Sequence, residues 1–334
     1  MNRRKIISPL AWGSGAYIVH KLLESHVEGY EVSGYNPYWT ICPFLLKIVS
    51  PIRRADLIHT TADYASFFHN KRIPLVITFH NYVLDRWMRS YSSWMQRIHY
   101  ATDLRFYTRL AVCTADCITA VSRFTAQLAK RDLGITRPIK IIYNGVDTDH
   151  FVPGSSPSAS VGRKEIRVLF SGNLTRRKGA HWLPDIAKRL DKNITIYYTQ
   201  GLRGRGRLPA HRGLKPIGAV PFTKMPARYQ AMDILLMPTV REGFGLAVAE
   251  AMACGLPVVA SKCSAIPELV DDGKGGALCS VGDVAAFAEK INLLAESADL
   301  RKEMGEYNRS KVERLFTLDR MVNEYRELFE EILS

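Results

Sequence analysis

The sequence predicts two doubly wound α/β domains joined near the middle of the chain. Short apolar or β-branched runs alternate with helical patterns in both halves, and both halves open with strand, glycine-containing loop and helix. Between them, residues 152–162 are rich in Pro, Gly and Ser and uncharged, the composition of an interdomain linker. A length of 334 residues suits two domains.

In chain order, the first strand is Lys5-Ile6-Ile7-Ser8, followed by Gly13-Ser14-Gly15 and a helix bearing Ile18, Leu22 and Leu23. The runs at 75–79, 117–121 and 139–143 complete the first domain's strands. In the second domain, the run at 166–170 enters the loop Ser171-Gly172-Asn173, and further runs lie at 194–198, 234–237 and 257–260. Such runs are buried parallel strands. From Val281 onward the pattern is helical and charged, and residues 319–333 place Met321, Tyr325, Leu328, Phe329 and Ile332 at helical spacing. Ligands of such sheets sit beyond the carboxyl ends of the strands, so the cleft between two facing domains is the expected site.

Composition narrows the function classes. With 47% apolar and 23% charged residues the chain is globular rather than disordered. No stretch approaches the roughly 18 apolar residues of a membrane-spanning helix; the best, residues 41–51, is broken by Pro43 and Lys47. The basic N-terminus lacks an apolar region behind it and does not read as a secretory signal. Six scattered cysteines without metal-ligand spacing read as reduced thiols of a cytoplasmic protein. The net charge of +14 is uneven: 1–152 carry +8, 153–215 carry +11 and 216–334 carry −5. A strongly positive face would meet nucleic acid, an anionic membrane or phosphate groups in a cleft.

The most informative stretch is Pro238-Thr239-Val240-Arg241-Glu242-Gly243-Phe244-Gly245-Leu246-Ala247-Val248-Ala249-Glu250-Ala251-Met252-Ala253-Cys254-Gly255-Leu256-Pro257-Val258-Val259-Ala260. A strand ends at Pro238, a loop carries a carboxylate and two glycines, and a helix starts near Gly245. Its N-terminus offers unpaired N–H groups to an anion or to sugar hydroxyls. Glu242 and Glu250, about two helical turns apart, could each accept a pair of hydroxyls, one from a hexose and one from a ribose. Alternatively, Glu250 serves only its own helix surface.

This stretch resembles the signature of retaining glycosyltransferase family 4, the group 1 glycosyl transferases. Ser171-Gly172-Asn173-Leu174-Thr175-Arg176-Arg177-Lys178-Gly179 is similar to that family's phosphate loop, and Tyr143-Asn144-Gly145-Val146-Asp147 with Phe151 to its first-domain end. Val121-Ser122 and Pro267-Glu268-Leu269-Val270 also fit. The likeness is strong over residues 116–316 and weak before Leu75. It implies GT-B architecture: two Rossmann-like domains facing across a cleft, an acceptor-side domain over 1–152 with 318–334, and a nucleotide-sugar domain over 163–317, with the last helix returning to the first.

The resemblance also implies roles. Glu242 would orient the donor sugar, lined by the backbone of Gly243, Phe244 and Gly245, while Glu250 would hold the ribose. Arg177 and Lys178 would stabilise the departing diphosphate, whose charge grows as the glycosidic bond breaks. Gly15, Gly172, Asn173, Val220 and Leu246 would complete the donor site. Relatives often carry Arg where Asn173 stands, so Arg176 could share the role of Arg177. His80, after the strand at 75–79, is either the family's cleft histidine or a satisfied strand-end residue. No metal or other cofactor is expected. Asp147-Thr148-Asp149 has Asp-x-Asp spacing but lies in the domain-end segment and reads as structural.

The acceptor is marked only by composition. In residues 84–100, Leu84, Trp87, Met88, Tyr91, Trp94, Met95 and Ile98 would share one helical face beside Arg86, Arg89 and Arg97. That is either a helix at an anionic membrane interface or one packed in the domain. The arginines of residues 201–207 could meet phosphate or lipid headgroups, or stay solvated. The reading is therefore a metal-independent, retaining transferase. It would use a UDP- or GDP-sugar and a glycan or lipid-linked acceptor, in cell-envelope polysaccharide, lipopolysaccharide or glycolipid synthesis, in the cytoplasm or on the inner face of the cell membrane. A nucleic-acid binder leaves Glu242 and Glu250 unexplained, since they would repel phosphates. A Rossmann oxidoreductase lacks the third glycine of its fingerprint, replaced by Ile18.

Overall fold

The computed structural model describes residues 4–48, 54–154, 165–200 and 208–334. Most of the Pro/Gly/Ser segment, the arginine loop at 201–207, part of the 41–51 run and residues 1–3 lie outside the described residues. The chain divides into two units, Met1–Gly145 with Asp319–Ser334, and Val146–Leu318.

The first unit holds β1 (Ile6–Ala11), α1 (Gly15–His26), β2 (Tyr30–Tyr35), β3 (Leu57–Thr61), β4 (Leu75–Phe79), α2 (Trp94–Ala101), α3 (Asp103–Thr114), β5 (Cys117–Ala120), α4 (Arg123–Leu133) and β6 (Lys140–Ile141). Its parallel sheet runs β2-β1-β3-β4-β5-β6. All five residues of β4 are buried, as a strand covered on both faces requires. Ser14 and Ser122 start α1 and α4 by accepting hydrogen bonds from Tyr17 N and Thr125 N, at 3.0 and 3.1 Å.

The second unit holds β7 (Ile166–Phe170), α5 (Leu183–Ala187), β8 (Ile194–Thr199), β9 (Leu214–Gly218), α6 (Met225–Gln230), β10 (Ile234–Met237), α7 (Leu246–Ala253), β11 (Val258–Ser261), α8 (Ile266–Leu269), β12 (Gly276–Cys279), α9 (Val284–Glu296) and α10 (Ala298–Leu315). Its parallel order, β12-β11-β10-β7-β8-β9, reverses direction between β7 and β10. That switch point is where doubly wound sheets bind ligands.

The last helix, α11 (Leu318–Leu333), packs on the first unit. Tyr325 and Phe329 are fully buried there, with the Phe329 ring 5.3 Å from His59 and Tyr325 Oη 3.3 Å from Thr78 Oγ1. Arg326 donates to the carbonyl of His26.

Two sequence expectations are corrected. Residues 146–152 group with the second unit, not the first. Arg309 donates to Thr148 O at 3.0 Å and Phe151 O at 2.6 Å, and Val146 bonds Phe316 and Leu318 through its backbone. Residues 84–100 do not form one helix. Arg86–Tyr91 is a 3-10 turn, Ser92 Oγ bonds back to Met88 O, and Ser93 begins α2 through a reciprocal cap with Gln96. Two adjacent serines thus take over the backbone bonding that a continuous helix would need. The proposed single face is lost: Leu84 and Met88 are buried, whereas Trp87, Trp94, Met95 and Ile98 are exposed.

Candidate active site

Two loops meet at the switch point of the second unit. The first follows β7 and is tied to β8, where Thr199 Oγ1 accepts from Gly172 N at 2.8 Å and donates to Gly172 O at 3.1 Å. It then turns tightly, with Lys178 N bonded to Thr175 O and Gly179 N to Arg176 O. Gly179 has φ +74, and a Cβ there would lie 1.7 Å from Pro238 O, so only glycine lets this loop pass the end of β10. The second loop follows β10 and is laced to the first. Val240 N donates to Arg177 O at 2.8 Å, Thr239 Oγ1 lies 3.1 Å from the same oxygen, and Arg177 Nη1 donates to Arg241 O at 2.8 Å.

Glu242 sits where the loops cross. Its Oε1 accepts from Lys178 Nζ at 2.7 Å and from Thr239 Oγ1 at 2.9 Å, with Arg177 Nη1 at 3.9 Å. Its backbone N–H donates to Ser264 Oγ at 3.1 Å, and Ser264 itself is held at φ +51, a strained conformation for a residue with a side chain. Burial would raise the Glu242 pKa. The charges of Lys178 and Arg177 and the bonds from Lys178 and Thr239 outweigh that, holding the carboxyl below its usual value.

Glu250 lies on α7, about one turn from its start. Tyr229 Oη, on α6, donates to its Oε2 at 2.8 Å. Burial pushes the Glu250 carboxyl up to about 7, against the Tyr229 bond and the Lys178 charge. One glutamate is thus held ionised by two cations, and its neighbour is poised near neutrality. Gly243, Phe244 and Gly245 are buried between them. The Phe244 ring packs 5.6 Å from Phe316, and Gly245, at φ +108, caps α7, whose first residue is Leu246. A Cβ on Gly245 would press on Ile266 and Leu269 at 3.2 and 3.1 Å.

Lys178, Arg177, Glu242, Glu250, Gly172, Gly243, Phe244, Gly245 and Leu246 therefore lie on the two switch-point loops and the helix that follows. Asn173 and the exposed Arg176 are on the β7 loop. Val220 stands apart, after the edge strand β9. Asp147 Oδ1 accepts from the backbone N–H groups of Asp149 and His150, both at 3.0 Å, which makes the Asp-x-Asp segment a turn.

In the first unit, His80 directly follows β4, and Gly15 is the first residue of α1. His20, on the helix that Gly15 opens, has its Nε2 2.8 Å from His80 Nε2. Burial drops the His80 pKa to about 3, so the ring is neutral. Sequence reasoning missed His20, Tyr229, Thr239 and Ser264. For His20 a signal existed: it shares the buried face of α1 with Ala16, Val19 and Leu23, an unusual position for a histidine.

Two family models match the chain, "Glycosyltransferase Family 4" over residues 19–150 and "Glycosyl transferases group 1" over residues 165–297. The chain belongs to the group 1 glycosyltransferases of family 4. Among its relatives, D-inositol 3-phosphate glycosyltransferase of Corynebacterium jeikeium is 32% identical over 52% of this chain and 47% of the relative. That alignment spans about half the length of the relative. An uncharacterized 41.2 kDa protein in the cps region of Klebsiella pneumoniae is 25% identical over 97% of this chain and 91% of its own. Among solved structures, sucrose-phosphate synthase from Thermosynechococcus elongatus superposes with a TM-score of 0.82 over 98% of this chain and 99% of that one, at 18% identity. At that identity the likeness establishes the fold, which is GT-B, as in other members of the family.

Proposed function

We propose that this family member is a retaining, metal-independent glycosyltransferase. It moves a sugar from a UDP- or GDP-linked donor to a hydroxyl of a glycan or lipid-linked acceptor, in the synthesis of cell-envelope polysaccharide, lipopolysaccharide or glycolipid. The observation that carries the reading is the switch-point pair: an ionised Glu242 held by Lys178 and Arg177, and Glu250, whose carboxyl burial raises to about 7. Such a set suits one sugar, one ribose and a diphosphate between them. The near-full-length relative from a cps region supports the polysaccharide setting.

In this reading, Arg177 and Lys178 stabilise the charge that gathers on the diphosphate oxygens as the bond from the anomeric carbon breaks. Glu242 holds sugar hydroxyls and Glu250 the ribose. No carboxylate of the site stands out as a covalent nucleophile, so the acceptor oxygen attacks the same face. The new carbon–oxygen bond forms as the old one breaks, and the acceptor's proton passes to the departing phosphate. His80 hydrogen-bonds a substrate hydroxyl. Calorimetry with UDP, GDP, NAD and single-stranded DNA tests the reading: it expects binding of UDP or GDP, and NAD or DNA binding alone would overturn it.

A specific surface favours a peripheral membrane setting as well. On the first unit the exposed Phe44 ring meets Phe67 at 5.7 Å, Phe67 meets Tyr107 at 4.6 Å, and Tyr107 meets the exposed Phe106 at 5.3 Å. α2, packed on α3, adds exposed Trp94, Met95 and Ile98 beside Arg97, and Tyr38, Ile41 and Ile48 lie bare near Phe44. Beside them Arg89, Arg97 and Arg105 line a cavity of about 230 Å³. Apolar side chains among arginines suit an anionic lipid surface. Among the described residues no helix is long and apolar enough to cross a membrane.

A further inference from the structure

Behind His80 runs a buried chain of polar groups that the donor site does not use. His20 Nε2 faces His80 Nε2 at 2.8 Å, and both Ser8 Oγ and Tyr30 Oη lie 2.7 Å from His20 Nδ1. Tyr30 Oη also lies 2.7 Å from His59 Nδ1, His59 Nε2 lies 2.7 Å from Thr78 Oγ1, and Thr78 Oγ1 lies 2.6 Å from Thr119 Oγ1. Ser8, His20, His59, Thr78 and Thr119 are each fully buried, and Tyr30 nearly so. Five elements, β1, α1, β2, β3 and β4, contribute to a line that ends on β5.

Each neutral imidazole has one N–H and one lone pair, so fixing one link fixes the next. At the inner end, Thr119 Oγ1 donates to the carbonyl of Ile77 at 3.4 Å. Its lone pairs are then left to accept from Thr78, whose own lone pairs accept from His59 Nε2–H and from Tyr325 Oη, 3.3 Å away. His59 Nδ1 is thereby bare and accepts from Tyr30. At the middle, two oxygens crowd His20 Nδ1. One ring N–H can be shared between two oxygens, whereas one lone pair cannot accept two hydroxyl protons well. Both ends give the same direction: His20 carries its proton on Nδ1, and its Nε2 accepts from His80 Nε2–H.

We infer that His20 is a positioning residue that clamps His80 as the Nε2–H tautomer, so that His80 offers an unprotonated Nδ1 and accepts a hydrogen bond from a substrate hydroxyl. The placement of His80 against substrate rests on the proposed function; the tautomer does not. The chain is a clamp rather than a proton wire, because it ends on a backbone carbonyl inside the sheet. Burial lowers the pKa of all three histidines, and the mutual repulsion that ionised rings would suffer lowers His20 and His59 further, so neutral rings are what the chain must order.

The test is long-range proton–nitrogen NMR on the full chain labelled with nitrogen-15 histidine at neutral pH. The expected wild-type spectrum shows His80 and His59 protonated on Nε2 and His20 on Nδ1. A proton on His80 Nδ1, or a cationic His80, would overturn the inference without any variant. The double variant Ser8→Ala, Tyr30→Phe removes both acceptors at His20 Nδ1. His20 should then shift its proton from Nδ1 to Nε2 and donate it to His80, which flips to Nδ1–H. The flip should lower kcat about ten- to a hundredfold with KM nearly unchanged. An unflipped His80 in a folded double variant would overturn the clamp. Turnover unchanged in His80→Ala, with the wild-type spectrum as expected, would instead overturn the contact with substrate.

Discussion

Lys178 Nζ lies 2.7 Å from Glu242 Oε1, so the cation of the β7 loop and the carboxylate of the β10 loop form one buried ion pair at the switch point. Their side chains are 15% and 9% exposed, which makes the pair part of the loops' architecture as well as of the site.

Lys178 and Arg177 should therefore behave differently on removal. Breaking a buried pair by deleting one partner costs about 3 to 5 kcal/mol, so Lys178→Met should lower both the melting temperature and turnover. Arg177, a third exposed, should lose turnover in Arg177→Ala by roughly ten- to a hundredfold, the worth of one charge-assisted hydrogen bond, with little change in melting temperature. Thermal melts beside steady-state rates check this, and equal loss of stability in both variants would contradict it.

Glu250 should give nucleotide binding its pH dependence. With the carboxyl raised to about 7, UDP or GDP affinity should strengthen as pH rises through that value and the ribose gains an ionised acceptor. Glu250→Gln should bind more weakly and flatten the profile, while Glu242→Gln should keep nucleotide affinity and lose turnover. For stability the sign is opposite. A carboxyl whose folded pKa is raised contributes stability below its unfolded pKa and loses it as pH rises through about 7, a loss that urea melts should find missing in Glu250→Gln.

Gly179→Ala should destabilise the second unit by roughly 2 kcal/mol or more, since it combines positive φ with a clash on Pro238 O. The displaced loop carries Arg177 and Lys178, so diphosphate affinity should fall with it. Normal affinity in that variant would show that the loop's path does not matter for binding.

The parallel strands that lie inside the sheets were legible because burial on both faces writes them as apolar runs: 75–79, 166–170 and 234–237 coincide with β4, β7 and β10. β2, β9 and β12 were not, being edge strands with mixed sequence such as Leu214-Lys215-Pro216-Ile217-Gly218. β3 was hidden because His59, Thr60 and Thr61 replace the apolar run, and His59 is there to join the buried chain. The two glutamates were readable from residue type and spacing, and the basic pair from the resemblance of its loop to the family's phosphate loop. Their partners Tyr229, Thr239 and Ser264 were not, because only the closing of the loops brings them near.

For the membrane surface, Trp94 is 70% exposed and Met88 is 2% exposed. The variant Trp87→Ser, Trp94→Ser should then reduce co-sedimentation with anionic vesicles, in a salt-dependent way, and spare the melting temperature. Met88→Ala should do the reverse, losing about 2 to 5 kcal/mol of stability. Unchanged vesicle binding by the double tryptophan variant would retire this surface as a lipid contact.

The central claim is that the switch-point loops of the second unit hold a nucleoside-diphosphate sugar for transfer. Its most direct measurement is release of UDP or GDP from a panel of sugar nucleotides by the purified chain. The wild type should release one of the two, and the Arg177→Ala and Glu242→Gln variants should release it at least about tenfold more slowly. Release that proceeds equally well in both variants would contradict the assignment of this site.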